Sequence, residues 1–139
     1  MKTLVIHPQD KTTDFLSVVY AAQILWTVVR NLHSKSGLRK LIRAHDRIIM
    51  MGHGTPQGLL GHGGFVIDSS FVDELRSKQC VFIWCDADRF VNKYTGLRGF
   101  NTGMIVSEAR EARWFKLPED ENMIDESNNM FARAVAEAL

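Results

Sequence analysis

The residues best suited to chemistry are His53 and Cys85, each of which follows a run of apolar residues. His53 comes after "RIIMM" and one glycine, and Cys85 closes the segment "CVFIWC". A cysteine beside a histidine can act as a nucleophile, because the imidazole accepts the thiol proton and the thiolate attacks a carbonyl carbon. The two residues are therefore the first candidates for a catalytic pair.

The segment after the histidine, "GTPQGLLG", is rich in glycine. Residues without side chains allow a substrate backbone to come close to His53. Cleavage of a carbonyl compound also needs hydrogen-bond donors for the oxyanion that develops. The amide of Gly54, directly after the histidine, is a candidate for such a donor.

Three further polar residues adjoin the candidate pair in the predicted fold. Asp86 and Asp88 follow the cysteine, and they either line a pocket for a basic substrate group or cap the next helix. His7 follows the first apolar run and either orients a substrate or lies in a surface turn before a proline. Cys80, at the start of its apolar run, is predicted to be an ordinary core residue.

Short apolar runs alternate with amphipathic stretches along the chain, which predicts alternating strands and helices. Strands are predicted at 3–6, 24–29, 47–51, 65–68, 80–84 and 104–107, with loops over the glycine-rich segment and 95–103. Helices are predicted at 14–23 after Thr12 or Thr13, from Ser34 or Ser36 to 45, and at 69–78, 108–115 and 123–139. Residues 86–94 are predicted to form either a helix or an irregular turn.

These elements predict a single α/β domain over residues 1–139. Because the strands are apolar on both faces, we expect a three-layer sandwich: a mostly parallel sheet of about five strands with helices on both faces. Parallel strands place their carboxyl ends along one edge, where ligands bind in open α/β sheets. His7, His53 and Cys85 are all expected at this edge.

The composition excludes several classes of function. The chain has 139 residues and a net charge of +1, so no overall charge points to nucleic acid or to an anionic membrane. The apolar runs are too short to span a bilayer and no signal peptide is evident, which predicts a cytoplasmic protein. Cys80 and Cys85 lie about 16 Å apart along one strand, too far for a disulfide. No cofactor is expected.

Two segments resemble the caspase-like (clan CD) cysteine peptidases, a family that includes caspases, gingipains, clostripain and separase. "IIMMGHGTPQGLLG" is similar to the family's histidine block, and "CVFIWCDAD" is similar to its block with the nucleophilic cysteine. The stretch "GLRGFNTGMIVSEA" resembles the return to the sheet after the cysteine. The resemblance implies a caspase-like fold, with Cys85 as nucleophile, His53 as general base and Gly54 as oxyanion donor.

The leading hypothesis is thus a thiol hydrolase that acts on a peptide or protein through a covalent acyl intermediate. A second interpretation is a binding domain of the same shape without activity, which holds a peptide or protein partner. A zinc site built from His53, Cys85, a nearby aspartate and His7 is a third, although the short-range ligand pairs typical of zinc sites are absent. A homodimer formed through the C-terminal helix stays open.

Overall fold

The apolar runs of the sequence form a parallel sheet in the computed structural model of the protein. The structure describes residues 1–31, 34–103 and 121–139, with the main chain alone for 121–123. The described strands are β1 (Thr3–Ile6), β2 (Thr27–Val29), β3 (Arg47–Met51), β4 (Gly54–Thr55), β5 (Gly58–Gly61), β6 (Gly64–Ile67), β7 (Gln79–Ile83) and β8 (Gly99–Asn101). The described helices are α1 (Lys35–Arg43), α2 (Val72–Leu75), α3 (Ala87–Asn92) and α4 (Glu121–Ala138), with 3₁₀ helices at Lys11–Val19 and Ser69–Phe71.

Five of these strands form one sheet in the order β2-β1-β3-β7-β8, and every neighbouring pair is parallel. Val5, Ile49 and Val81 lie side by side on one face, and all three are buried. Leu4, Ile48 and neighbouring residues on the other face are buried as well. The prediction of a parallel α/β sheet with both faces covered is confirmed, as in a three-layer sandwich.

The chain divides into two compact units, and the first contains Met1–Gln9 and Leu25–Met104. Its core lies on one face of the parallel sheet, where alternate residues of β1, β3 and β7 meet the apolar sides of α1, α2 and α3. The start of α1 agrees with the sequence prediction, because the Ser34 hydroxyl accepts a hydrogen bond of 3.0 Å from the amide of Gly37.

The glycine-rich segment after β3 was predicted as a loop, and this prediction is wrong. Its residues form β4 and β5, which join β6 in a second, antiparallel sheet of the order β4-β5-β6. The strand predicted at 65–68 corresponds to β6. Gly58 shows why glycines occur here: its φ is +147°, and a Cβ atom would lie 1.9 Å from the carbonyl oxygen of Ile67. Glycine at this position lets the backbones of the small sheet approach each other closely.

Two other predictions differ from the structure, and two further predicted elements lie beyond its described residues. The strand predicted at 24–29 covers only Thr27–Val29, since Ile24 and Leu25 are more than 90% exposed. The loop predicted at 95–103 contains the edge strand β8. The strand predicted at 104–107 and the helix at 108–115 lie outside the described residues.

The second unit contains Asp10–Ile24 and Ile105–Leu139. Its first helical segment is a 3₁₀ helix at Lys11–Val19 rather than the α-helix predicted at 14–23, and Asp10 caps it by accepting a 2.8 Å hydrogen bond from the amide of Thr12. This segment packs against α4, which matches the predicted C-terminal helix. Within the described ranges, no helix is both long enough and apolar enough to cross a membrane.

Candidate active site

The two candidate catalytic residues follow neighbouring strands at the same edge of the parallel sheet. The register of β3 and β7 pairs Met51 with Ile83, and the amide of Gly52 donates a 3.0 Å hydrogen bond to the carbonyl oxygen of Ile83. His53 and Cys85 therefore each lie two residues beyond the same register pair. Adjacent strands are separated by about 4.8 Å, so the strand ends from which these two residues follow are close in space. Both residues are partly exposed.

Hydrogen bonds hold the hairpin after His53 against the segment that contains the cysteine. The indole Nε1 of Trp84 donates to the carbonyl oxygen of Thr55 at 3.0 Å. The Lys93 ammonium group, just after α3, donates to the carbonyl oxygen of Pro56, also at 3.0 Å. Two residues that follow the histidine are thus bonded to residues before and after the cysteine, which limits the relative motion of the two segments.

Trp84, directly before the cysteine, explains why an aromatic residue ends this apolar run. Its side chain is fully buried, and its ring makes edge-to-face contacts with Phe82 at 5.7 Å and with Phe90 at 5.5 Å between centroids. Buried indoles normally find an acceptor for the ring N–H, and here the acceptor belongs to the histidine hairpin. Trp84 therefore packs in the core and also forms a hydrogen bond with the hairpin that follows His53.

Gly54 is a glycine because the indole lies against it. A Cβ atom at this position would be 2.1 Å from Cδ1 of Trp84 and 2.7 Å from the carbonyl oxygen of Gly58. The sequence predicted instead that this glycine serves the approach of a substrate. Packing against the tryptophan is thus sufficient to require glycine at this position.

The amide of Gly54 has a second notable property, its direction. Gly54 pairs with Leu59, and the amide of Leu60 donates to the carbonyl oxygen of His53 at 2.8 Å. This pattern makes Gly54 and Leu59 a non-hydrogen-bonded pair of the antiparallel ladder. The amide of Gly54 consequently points away from β5, as an oxyanion donor would have to.

The chain turns sharply after Cys85. Asp86 has a left-handed backbone conformation, with φ 61° and ψ 27°, and its amide donates to the carbonyl oxygen of Gly103 at 3.0 Å. Its side chain makes no capping hydrogen bond to α3, so the capping interpretation is wrong for this residue. The Thr102 hydroxyl braces the same turn by donating to the carbonyl oxygen of Trp84 at 2.9 Å.

The left-handed conformation of Asp86 gives a testable prediction about backbone strain. We expect Asp86→Gly to be at least as stable as the natural protein, since glycine adopts this conformation without steric cost. We expect Asp86→Val to be about 1–2 kcal/mol less stable than the glycine variant, because a β-branched residue clashes there. Urea unfolding measures the free energy of unfolding of each variant. Equal values for the glycine and valine variants would contradict the left-handed conformation assigned to Asp86.

Asp88, in the first turn of α3, has an unusual carboxylate. Its amide donates to the carbonyl oxygen of Thr102 at 3.0 Å, which fixes the backbone. Its Oδ1 atom is buried and accepts no hydrogen bond within the described part of the chain. Buried carboxylate oxygens are normally paired. The position of Asp88 in the first turn of α3 agrees with the predicted alternative that a carboxylate favours the positive end of this helix.

His7 lies at the same edge of the sheet but is fully buried. Its amide donates to the carbonyl oxygen of Val29 at 3.0 Å, and its carbonyl oxygen accepts from Nε of Arg30 at 3.1 Å. The interpretation of His7 as a surface turn residue is wrong. The structure gives its ring no exposed surface at which a substrate could bind.

Cys80 is a core residue, as predicted, and provides a contrast to Cys85. Burial raises the pKa of its thiol to about 12, an effect that the nearby Lys78 only partly offsets. Its Sγ donates to the carbonyl oxygen of Leu75 at 3.4 Å. Since the thiolate is the reactive form, Cys80 is expected to be inert in the folded protein.

Sequence analysis did not identify Trp84 or Thr102 as residues that shape the site. The aromatic residue before the cysteine was a signal of a special position, but its partner lies 29 residues earlier along the chain. Among the residues that the structure describes, no group of three or more His, Cys, Asp or Glu side chains could hold a metal ion, so the zinc interpretation has no geometric support.

No protein-family model, curated protein or solved structure matches this chain. Any function assigned to the site must therefore be argued from the position and chemistry of its own residues.

Proposed function

We propose that this protein is a thiol hydrolase that cleaves a peptide or protein substrate, with Cys85 as nucleophile and His53 as general base. The register of β3 and β7 supports the proposal, because the two strands end at the register pair Met51 and Ile83 and each candidate residue follows two positions later. Proton transfer between a base and a nucleophile requires such proximity. Partial exposure of both residues leaves room for a substrate to reach them.

In the proposed reaction, the Cys85 thiol gives its proton to the imidazole of His53, and the sulfur bonds to the substrate carbonyl carbon. The carbonyl oxygen becomes an oxyanion, to which the amide of Gly54 donates a hydrogen bond. The carbon–nitrogen bond then breaks, and the imidazolium protonates the leaving amine. Water, deprotonated by the imidazole, attacks the thioester; the carboxylic acid leaves and the thiol is restored.

We also propose that the fold is caspase-like. The two segments that resemble the histidine and cysteine blocks of that family end β3 and β7, which are adjacent in the middle of the sheet. The order of strand, histidine, strand and cysteine along the chain matches the resemblance. These features support the family assignment together, since neither segment alone is specific.

The two aspartates after the cysteine are proposed to bind a basic group of the substrate. Asp88 supports this role because its buried oxygen has no donor among the described residues, and a positively charged partner would compensate its burial. Asp86 supports it because its side chain is not used to cap α3. The buried ring of His7 is left out of the proposed binding set.

Alkylation by iodoacetamide tests the catalytic pair, with Cys80 as an internal control. We expect Cys85 to be labelled selectively at neutral pH in the folded protein, and His53→Ala to slow this labelling at least tenfold, since the imidazole maintains the thiolate. His62→Ala is the matched control, because His62 is an exposed histidine in the same small sheet and should leave the rate unchanged. Mass spectrometry of tryptic peptides reports each cysteine separately.

Peptide hydrolysis gives the second readout. A library of fluorogenic peptides with basic residues before the cleaved bond should be hydrolysed by the natural protein, and Cys85→Ala should abolish this activity. His53→Ala should lower it by about 10²–10⁴, the usual contribution of a general base. If His53→Ala and His62→Ala change the labelling of Cys85 equally, the pair does not exist and hydrolysis by this route is rejected.

A further inference from the structure

An open cleft of about 480 Å³ lies within the first unit, and neither His53 nor Cys85 lines it. The described residues that bound it are Pro8 and Gln9 after β1, Arg30 and Asn31 after β2, the start of α1 and the tip of the β5–β6 hairpin. The carboxyl ends of parallel strands are the usual ligand-binding edge of an α/β sheet. The volume is also within the range of small-molecule sites, about 300–1,000 Å³.

The charged groups that line the cleft are basic. Among the residues that the structure describes, Arg30 and Lys35 line it together with His62, and no aspartate or glutamate does so. A hydrogen bond from Nε of Arg30 to the carbonyl oxygen of His7 fixes the guanidinium at the cleft edge. The amino-terminal end of α1 adds positive character through the helix dipole, and its first turn contains no acidic residue that would offset it.

Lys35 also pairs with Asp68, which does not line the cleft. Burial alone would raise the pKa of the Asp68 carboxyl, but hydrogen bonds from Lys35 and Ser70 outweigh it and hold the pKa below its ordinary value. The ammonium group has three N–H donors, so one ion pair leaves donors for another acceptor. The ion pair thus orients the Lys35 side chain and leaves N–H donors of its ammonium group for a ligand.

Gly63, at the tip of the hairpin, is a glycine that the fold does not require. Its φ is not positive, and a Cβ atom there would meet no other atom within 4 Å. The bare backbone contrasts with Gly54 and Gly58, where a Cβ atom would collide with neighbouring groups. A glycine with open space beside a basic cleft keeps that space accessible and exposes its backbone to a ligand.

An apolar wall adjoins the basic groups. Leu38, Phe65 and Val66 line the cleft, and the Phe65 side chain is exposed enough to contact a bound molecule. Small-molecule sites commonly combine such a wall with a few polar groups that fix orientation.

We propose that this cleft is a binding site for a small organic anion. Its phosphate or carboxylate group lies against Arg30 and Lys35, and its apolar body lies against Phe65 and Val66. The site is separate from the proposed hydrolytic pair, so anion binding can be tested independently of hydrolase activity.

Phenyl phosphate is a suitable probe, because it joins a dianion to a flat apolar ring. Titration followed by ¹H–¹⁵N NMR should shift the amide signals of Gly61, Gly63 and Gly64 in a saturable manner. Benzoate distinguishes a carboxylate ligand from a phosphate ligand, and benzyl alcohol is the neutral control. Saturable shifts at the hairpin tip with either anion support the site, and equal shifts with benzyl alcohol overturn it.

Three variants complete the test. Gly63→Glu fills the open space with a negative side chain and should weaken binding of the probe more than tenfold, with an unchanged urea midpoint. Lys35→Ala should weaken binding about tenfold, the loss expected for one charge-assisted hydrogen bond. Lys40→Ala, an exposed lysine of the same helix, should leave affinity within twofold. Equal affinity of all three variants would overturn the proposal.

Discussion

Trp84→Ala is expected to lower the free energy of unfolding by about 3–5 kcal/mol, the usual cost of removing a large aromatic side chain from a core. The indole is fully buried and in contact with two phenylalanine rings, so its loss leaves a cavity that the sheet cannot close. The hairpin after His53 also loses its bond from the indole N–H to Thr55. We therefore expect selective alkylation of Cys85 to decline together with stability. Chemical denaturation and cysteine labelling measure the two effects.

Two further tryptophan variants separate packing from hydrogen bonding. Trp84→Phe keeps an aromatic ring but removes the hydrogen bond from the indole N–H to the carbonyl oxygen of Thr55, and we expect a loss of about 1–2 kcal/mol. Trp26→Ala removes a partly exposed indole that stacks on Arg47 and should cost less than either. A similar cost for Trp26→Ala and Trp84→Ala would show that Trp84 has no special role in the core.

Gly54→Ala is expected to destabilise the protein by about 3 kcal/mol, although it adds only one methyl group. The new Cβ atom would lie 2.1 Å from Cδ1 of Trp84 and 2.7 Å from the carbonyl oxygen of Gly58, so the ring or the hairpin must move. Such movement also displaces His53, and we expect labelling of Cys85 to slow. Gly63→Ala is the matched control, since its Cβ atom has no neighbour within 4 Å and stability should change little.

A double variant tests whether the tryptophan causes this cost. Gly54→Ala combined with Trp84→Ala should be less destabilising than the sum of the single changes, because removal of the indole eliminates the closest clash. Additive costs would mean that the indole does not lie against Gly54. That result would also remove the argument that packing fixes the position of the histidine hairpin.

Much of the parallel sheet follows from local sequence. The runs at Thr3–Ile6 and Arg47–Met51 form strands with the predicted boundaries, because apolar and β-branched residues favour buried strands. Ser34 caps α1 as predicted, since a cap depends only on residues a few positions apart. Both kinds of signal are local, which is why they can be read without a structure.

The errors have physical causes of their own. Ile24 and Leu25 are apolar but highly exposed, so hydrophobicity alone overestimated the length of β2. The two strands of the small sheet that were predicted as loop, β4 and β5, are two and four residues long and begin with glycine, which is typical of turns rather than of strands. Their pairing is visible only when both partner strands are in place.

The amino-acid sequence by itself determined the α/β class, the central strands, and the choice of His53 and Cys85 as residues at one edge of the sheet. Tertiary structure decided that β3 and β7 are neighbours in a register that aligns the two residues. It also decided that Gly54 serves the packing of Trp84, thirty positions later. Secondary-structure propensity and helix capping depend on residues that are a few positions apart. Strand register and side-chain packing depend on segments that are far apart in the chain, so a local sequence pattern does not predict which segments contact each other.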